Sequence, residues 1–226
     1  MTREEFIRQV PLFKELRPED ITILCESTRT ITLKKGEVLF RKDDEGTALY
    51  IIQQGSVKIV LPSVSGDEVI PAIFTSGDFF GEMALLDGMP RSADAVAIEP
   101  CELLVLNRSN FLDFIKGNEN VIQSILAALS MRLRRTDDLL EDTCFLNISA
   151  RFAKKLVELA EEHGEQDGDL ILINLDLKQR DLASMVGATR ESINKELRLL
   201  REKGLISMIG SQIQIFNLEL LRRRIH

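Results

Sequence analysis

The sequence predicts an α+β protein with an antiparallel jelly roll at the front, one long helix behind it, and a winged helix-turn-helix at the end. Three observations carry this assignment. Gly36, Gly46, Gly55, Gly66, Gly77 and Gly88 follow one another at gaps of 10, 9, 11, 11 and 11 residues, with short apolar runs between them. Turn signals at that spacing indicate an antiparallel sandwich or roll. From Asn118 to Thr143 the apolar period becomes helical. After it, two helical segments flank Gly187, and two short β-prone runs follow.

In chain order, Thr2 to Val10 suits a short helix, and Pro18 opens a second that runs to about Thr28. Proline at the first helical position, followed by Glu19 and Asp20, matches the unpaired N–H groups of a helix start. Ala48 to Gln53, Ser56 to Leu61, Val69 to Phe74, Ala93 to Ile98 and Glu102 to Leu106 read as strands of the roll, and Arg108 to Lys116 as a helix. The long helix would span about 39 Å. Ile122, Ile125, Leu129, Arg132, Thr136, Leu139 and Thr143 form a row at alternating steps of three and four, the seam of a helix pair. Leu126, Leu133 and Leu140 form a second row that needs its own cover. Two apolar faces on one helix predict pairing with a second copy of the chain; the alternative is a simple core helix.

Cys144 to Ile148 reads as a hinge, and Ser149 as the N-cap of a helix running to about Glu162. Gly164 to Asp169 is expected to be an exposed acidic loop and Leu170 to Leu175 a strand. Leu177 to Leu197 holds the helix-turn-helix, with Thr189 capping its second helix. Leu182, Ala183, Val186, Ile193 and Leu197 would hold the two helices together, leaving Arg190, Glu191, Asn194 and Lys195 outward. Leu205 to Met208 and Gln212 to Phe216 give the hairpin of a wing. The expected domains are 1–117, the roll; 118–146, the pairing helix and hinge; and 147–226.

Composition removes several classes. At 226 residues and 44% hydrophobic, the chain can bury a sizeable core. It has no apolar run of about 18 residues, so a soluble, cytoplasmic protein without a membrane partner is expected. Cys25, Cys101 and Cys144 are far apart and show no metal or disulfide spacing, which leaves them as reduced packing residues. His163 and His226 are the only histidines; no metal site and no catalytic group is expected. A jelly-roll metalloenzyme would need histidines in the roll, and none precedes His163. The net charge of −7 is uneven. Residues 147–226 carry 13 Lys and Arg against 12 Asp and Glu, leaving 16 against 24 for residues 1–146. Such asymmetry suits a sensor in front and a nucleic-acid-facing tail.

The most informative chemistry lies between Phe80 and Ala93. Gly81 lets backbone approach a ligand, and Glu82 to Leu86 can make one helical turn with its N–H groups facing an anion. Arg91 offers two parallel hydrogen bonds to a phosphate. Ionised Glu82 only accepts, which suits a sugar hydroxyl. Together they describe a site for a phosphate fused to a ribose; the alternative is that Glu82 and Arg91 pair with each other beneath a loop.

Phe79 to Ala93 resembles the phosphate-binding cassette of cyclic-nucleotide-binding domains, F-G-E-[LIM]-A-L-x-x-x-x-P-R-[SAT]-A, in register. Over roughly residues 6–217 the chain resembles the cyclic-AMP receptor branch of the CRP/FNR family of bacterial transcription regulators. That resemblance implies a ligand site of Glu82 on the ribose 2′-hydroxyl, with Arg91, Ser92 and the Gly81, Glu82, Met83 and Ala84 region on the cyclic phosphate. It also implies that Thr136 and Asp137 meet the purine, one from each subunit. Where the receptor branch has Thr-Ser, this chain has Asp137. A carboxylate accepts once from adenine but twice from the N1–H and N2–H₂ edge of guanine. Cyclic AMP is the expected effector, with cyclic GMP or a guanine dinucleotide next. A third possibility is that Asp137 pairs only with Arg134 or another nearby cation.

For the second helix of the helix-turn-helix, the functional reading places its N-terminal end in a major groove, where Arg190 grips guanine and Glu191 accepts from cytosine. The family's R-E-x-x-x-R motif implies Arg190, Glu191 and Lys195 as base readers, with Lys195 replacing the last arginine. Thr189, Asn194 and Arg180 complete the candidate DNA face. The expected partners are duplex DNA with half-sites about 34 Å apart, a second copy of the chain, and RNA polymerase. A ligand-gated homodimeric regulator uses every module; a cyclic-nucleotide-binding signalling module that does not act on DNA would have no use for residues 177–216.

Overall fold

The computed structural model describes residues 2–168 and 170–225; Met1, Asp169 and His226 lie outside them. The chain divides into two compact units, Met1–Pro62 with Ala72–Arg135, and Ser63–Pro71 with Thr136–His226.

Helix α1 (Arg3–Gln9) starts at a reciprocal cap in which Thr2 Oγ accepts from the Glu5 N–H at 3.2 Å and Glu5 accepts from the Thr2 N–H at 2.6 Å. A single 3-10 turn, Pro11–Phe13, leads to α2 (Pro18–Ser27), which has proline at its first position as the sequence predicts. The roll follows as β1 (Thr28–Leu33), β2 (Val38–Phe40), β3 (Ala48–Gln54), β4 (Val57–Pro62), β5 (Glu68–Phe74), β6 (Phe79–Phe80), α3 (Met83–Asp87), β7 (Asp94–Ala97) and β8 (Cys101–Asn107). Helices α4 (Arg108–Lys116) and α5 (Glu119–Phe145) come next. The strands form sheets ordered β1-β8-β3-β6 and β2-β7-β4-β5. The glycine ladder marks the turns: Gly55, between β3 and β4, has φ 89°, and a Cβ there would lie 2.5 Å from the Pro100 carbonyl oxygen.

Period-2 alternation splits the core. On β3 and β8, Leu49, Ile51, Leu104 and Leu106 face a cluster containing Phe6, Phe13, Phe111, Val121 and Ile125. Ile52 and Leu103 face the other way, with Val57, Phe80 and Ala95. Phe111 is fully buried and so fastens α4 to the roll; burial of such a ring is worth about 1.5–3 kcal/mol.

The same cluster corrects the assignment of faces on α5. Val121 and Ile125 are buried in it and Leu129 packs against it, so part of the row expected to form the helix-pair seam covers the chain's own roll. The second row stays bare in the single chain: Leu126, Leu133 and Leu140 are 58%, 63% and 64% exposed. Cys144 is exposed as well, so the packing role expected of it is wrong; Cys101 is buried, and burial raises its thiol pKa.

In the second unit, α6 (Ile148–His163) begins at Asn147, whose side chain accepts from the Ala150 N–H at 3.0 Å. The expected cap, Ser149, lies inside the helix and donates its hydroxyl to Glu196 at 2.8 Å. Strands β9 (Gly164–Asp167) and β10 (Leu170–Ile173) pair antiparallel, so the loop expected from Gly164 to Asp169 is an edge strand as far as Asp167, followed by a turn at Gly168. Its residues Glu165, Gln166 and Asp167 are exposed, and a polar edge carries no apolar alternation by which to recognise it. Then come α7 (Gln179–Met185), α8 (Arg190–Glu202), β11 (Ile206–Ile209), β12 (Gln212–Ile215) and α9 (Leu218–Arg222), with a sheet ordered β11-β12-β10-β9. Leu182, Ala183, Val186, Ile193 and Leu197 are all buried between the helices, as their spacing predicts.

Candidate functional site

Strand β6 delivers the chain to Gly81, whose φ of 86° is readily available only to glycine. A Cβ at this position would lie 2.7 Å from Arg91 Nη1. Glu82 follows as the residue before α3, but its side chain makes no capping bond. The carboxylate points instead to α5: Glu82 Oε1 accepts from Arg132 Nη1 at 2.6 Å, and Glu82 is 1% exposed. Arg132 also donates to the Phe79 carbonyl, and its guanidinium lies 4.4 Å and 4.8 Å from the ring centres of Phe74 and Phe79.

Arg91 is 3% exposed. Its Nη1 donates to the Gly81 carbonyl at 2.8 Å and its Nη2 to the Ala48 carbonyl at 2.7 Å. The guanidinium lies over Phe40 at 4.3 Å. Burial lowers the Arg91 pKa below the ordinary arginine value, while Tyr50, Glu82 and Asp44 oppose that shift. Glu82 and Arg91 therefore direct their hydrogen bonds to other partners.

Two atoms of this constellation have no hydrogen-bond partner although buried: Glu82 Oε2, an acceptor, and Arg91 Nε, a donor. Buried polar atoms are nearly always paired. A ribose hydroxyl would satisfy the first and a phosphate oxygen the second, so these residues fit a sugar phosphate.

Other candidates contribute less directly. Ala84 is buried, with Gly46 packed so close that a Cβ on Gly46 would lie 2.2 Å from the Ala84 Cβ. Met83 is exposed, and Ser92 Oγ donates to its sulfur at 3.7 Å. Thr136 and Asp137 follow Arg132 on α5, are both exposed, and belong to the second unit. The structure thus brings together Gly81, Glu82, Arg91 and Arg132. The sequence places Arg132 only in the seam row. A lone cation in an apolar row was the available signal, because a charge there needs a partner.

On α8, Thr189 Oγ accepts from the Ser192 N–H at 3.2 Å, so the expected cap is present. Arg190, Glu191 and Lys195 are exposed, and so is Arg180 on α7. Asn194 differs from its expected outward position. It is half-buried, and its Oδ1 is buried without a partner. Its place between Ile193 and Leu197 on the packed side of α8 accounts for this. Among the described residues no group of three or more His, Cys, Asp or Glu could hold a metal, and no helix is long and apolar enough to cross a membrane.

Two family models match the chain: the cyclic nucleotide-binding domain over residues 30–118 and the Crp-like helix-turn-helix domain over residues 150–224. A CRP-like cAMP-activated global transcriptional regulator of Mycobacterium tuberculosis is 31% identical over 98% of this chain and 99% of its own. A cyclic AMP receptor protein of Thermus thermophilus is 32% identical over 93% of this chain and 94% of its own. Among solved structures, the c-di-GMP responsive global regulator of Xanthomonas campestris superposes with a TM-score of 0.78 at 22% identity, covering 89% of this chain and all of that one.

Proposed function

Because the chain belongs to the CRP/FNR family of transcription regulators and carries both its cyclic nucleotide-binding and its Crp-like helix-turn-helix domains, we propose that its effector is cyclic AMP, held by Glu82, Arg91 and Arg132. The observation that carries the sugar-phosphate part of this reading is the pair of orphaned buried atoms, Glu82 Oε2 and Arg91 Nε, and the cAMP-named relatives support adenine as the base. The 2′-hydroxyl donates to the first, and a cyclic phosphate oxygen accepts from the second. Gly81, Met83, Ala84 and Ser92 line the phosphate turn.

In this reading residues 1–117 bind nucleotide, 118–146 pair two chains, and 147–226 bind duplex DNA. The bare row of Leu126, Leu133 and Leu140 supports pairing, since three large apolar side chains more than half exposed on one helix face form the seam of a second helix. Arg190, Glu191 and Lys195 read base edges, while Arg180 and the Thr189 end of α8 meet the phosphate backbone. RNA polymerase is the proposed protein partner, and no catalysis is assigned.

Asp137 favours a second reading of the base. Thr136 and Asp137 meet the purine, and a carboxylate makes two hydrogen bonds to guanine where it makes one to adenine. Calorimetry with cyclic AMP and cyclic GMP on the wild type and on Asp137→Ser tests both readings. The first requires tighter binding of cyclic AMP by the wild type. Preference for cyclic GMP that Asp137→Ser reverses selects the second, and no binding of either nucleotide sinks both.

A further inference from the structure

The end of the chain touches the back of α8. Past α9, Arg224 Nη2 donates to Ser149 Oγ at 3.1 Å, and Ser149 in turn donates to Glu196 Oε2 at 2.8 Å. Arg224 Nη2 also lies 3.8 Å from that same Glu196 oxygen. Ser149 belongs to the first turn of α6, Glu196 to the middle of α8, and Arg224 to the C-terminal tail, so one relay joins three elements. It is well shielded: the side chains of Glu196 and Arg224 are 16% and 19% exposed. The tail is anchored independently by Leu221, which is fully buried, and by Arg222, which lies 2.6 Å from Glu161.

Glu196 sits at helical spacing from Ile193 and Leu200, on the packed side of α8 and next to the exposed Lys195. An apolar face fixes how deeply a helix packs but leaves it some freedom to roll and slide. A directional bond from a shielded carboxylate restrains those motions. The Ser149 hydroxyl donates one way and accepts the other, and so matches a carboxylate on one side and a guanidinium on the other.

We propose that Arg224, acting through Ser149 and Glu196, is a positioning residue that sets the angle at which α8 presents Arg190, Glu191 and Lys195 to base edges. Arg224 faces the protein interior and is not itself a base reader. Without its cation the shielded Glu196 carboxylate loses half of its compensation, and α8 samples orientations in which bidentate base contacts fail. Phosphate contacts tolerate such shifts, so sequence discrimination falls more than total DNA affinity does.

The proposal rests on α8 being the DNA reader, and the test separates the two ideas. The probes are a duplex selected from a random library by the wild-type protein and a scrambled duplex of the same composition. Both are measured at one fixed salt concentration with saturating cyclic AMP. Arg224→Ala is expected to lower the selected-to-scrambled affinity ratio about tenfold, with the salt dependence on scrambled DNA and the affinity for cyclic AMP unchanged. The swap Glu196→Arg with Arg224→Glu keeps the relay in reverse order and is expected to recover most of the ratio. Arg190→Ala is the control for the reader itself. If it leaves the ratio unchanged, α8 does not read sequence and the premise fails. If Arg190→Ala lowers the ratio and Arg224→Ala does not, the positioning role alone is overturned. Equal loss on both duplexes with a shallower salt dependence also overturns it, because Arg224 is then a phosphate contact.

Discussion

Arg132 Nη1 lies 2.6 Å from Glu82 Oε1, and the other oxygen of that carboxylate is buried without a partner. Half of Glu82 is thereby held from the long helix, and in the proposed reading the other half receives the ligand. The ion pair joins this turn to α5 within one unit, so a ligand bound at the free oxygen, as proposed, would act on the element that carries Leu126 and Leu133. A ligand shifts such an equilibrium only by binding one arrangement better than the other.

Removal of Arg132 should destabilise the roll. Arg132→Ala leaves a carboxylate that is 1% exposed without its cation. The expected loss is about 2–3 kcal/mol, less than for a fully buried pair because the Arg132 side chain is 26% exposed. The double variant Glu82→Gln with Arg132→Met should regain most of that stability and still fail to bind nucleotide. Denaturant unfolding and calorimetry check the two halves.

Gly81→Ala should weaken nucleotide binding through the backbone. Alanine at φ 86° costs about 1–2 kcal/mol, and its Cβ would displace the Arg91 guanidinium. The same substitution at Gly36, where a Cβ meets nothing within 4 Å, should carry a similar strain and leave nucleotide affinity unchanged. Calorimetry on both variants separates strain from displacement.

Much of this site is legible in the sequence because its chemistry is local. Gly81, Glu82, Arg91 and Ser92 stand within a dozen residues, and the turn that brings them together is written in the glycines. Arg132 is not legible in the same way, since its partner lies 50 residues away and only tertiary packing chooses it. The rows of α5 show the same limit. Spacing reveals two apolar faces, but which one meets the roll depends on the cluster that holds Phe6 and Phe13, far earlier in the chain. Asn147 and Ser149 are both good caps by type, and the choice was made by Glu196, which takes the serine hydroxyl from another helix.

The bare row on α5 predicts an association that one charge disrupts. Leu133→Glu places a carboxylate in the middle of Leu126, Leu133 and Leu140 and should weaken self-association at least about tenfold, given about 1.5–3 kcal/mol per buried leucine. Sedimentation velocity across a concentration series reads it. An unchanged sedimentation coefficient would place the pairing surface elsewhere.

Arg190→Ala should cost about 1–3 kcal/mol of DNA affinity and relax one position of each half-site. Arg180→Ala should weaken binding to every sequence alike and flatten the salt dependence. Binding isotherms on a panel of single-base variants distinguish the two patterns.

An ion pair between α5 and α6 carries a pH signature. Lys154 Nζ lies 2.7 Å from Asp142. Burial acts to lower its pKa, but the hydrogen bond and charge of Asp142, with Glu158 and Asp138, outweigh it and leave the pKa raised. A lysine pKa raised by folding stabilises fully below its unfolded value, about 10.4, and loses that contribution as pH rises through the folded value. The stability gap between wild type and Lys154→Met should therefore stay constant from neutral pH to about 9 and shrink above about 10.4. Thermal unfolding across that range measures it.

In the proposed mechanism, nucleotide held at Glu82 controls the DNA affinity of α8. The most direct measurement is a titration of labelled duplex with wild type and Glu82→Ala, with and without cyclic AMP, at one salt concentration. Nucleotide should raise wild-type affinity at least about tenfold and leave Glu82→Ala unmoved. Equal wild-type affinities in the two conditions, or a full response from Glu82→Ala, would contradict it.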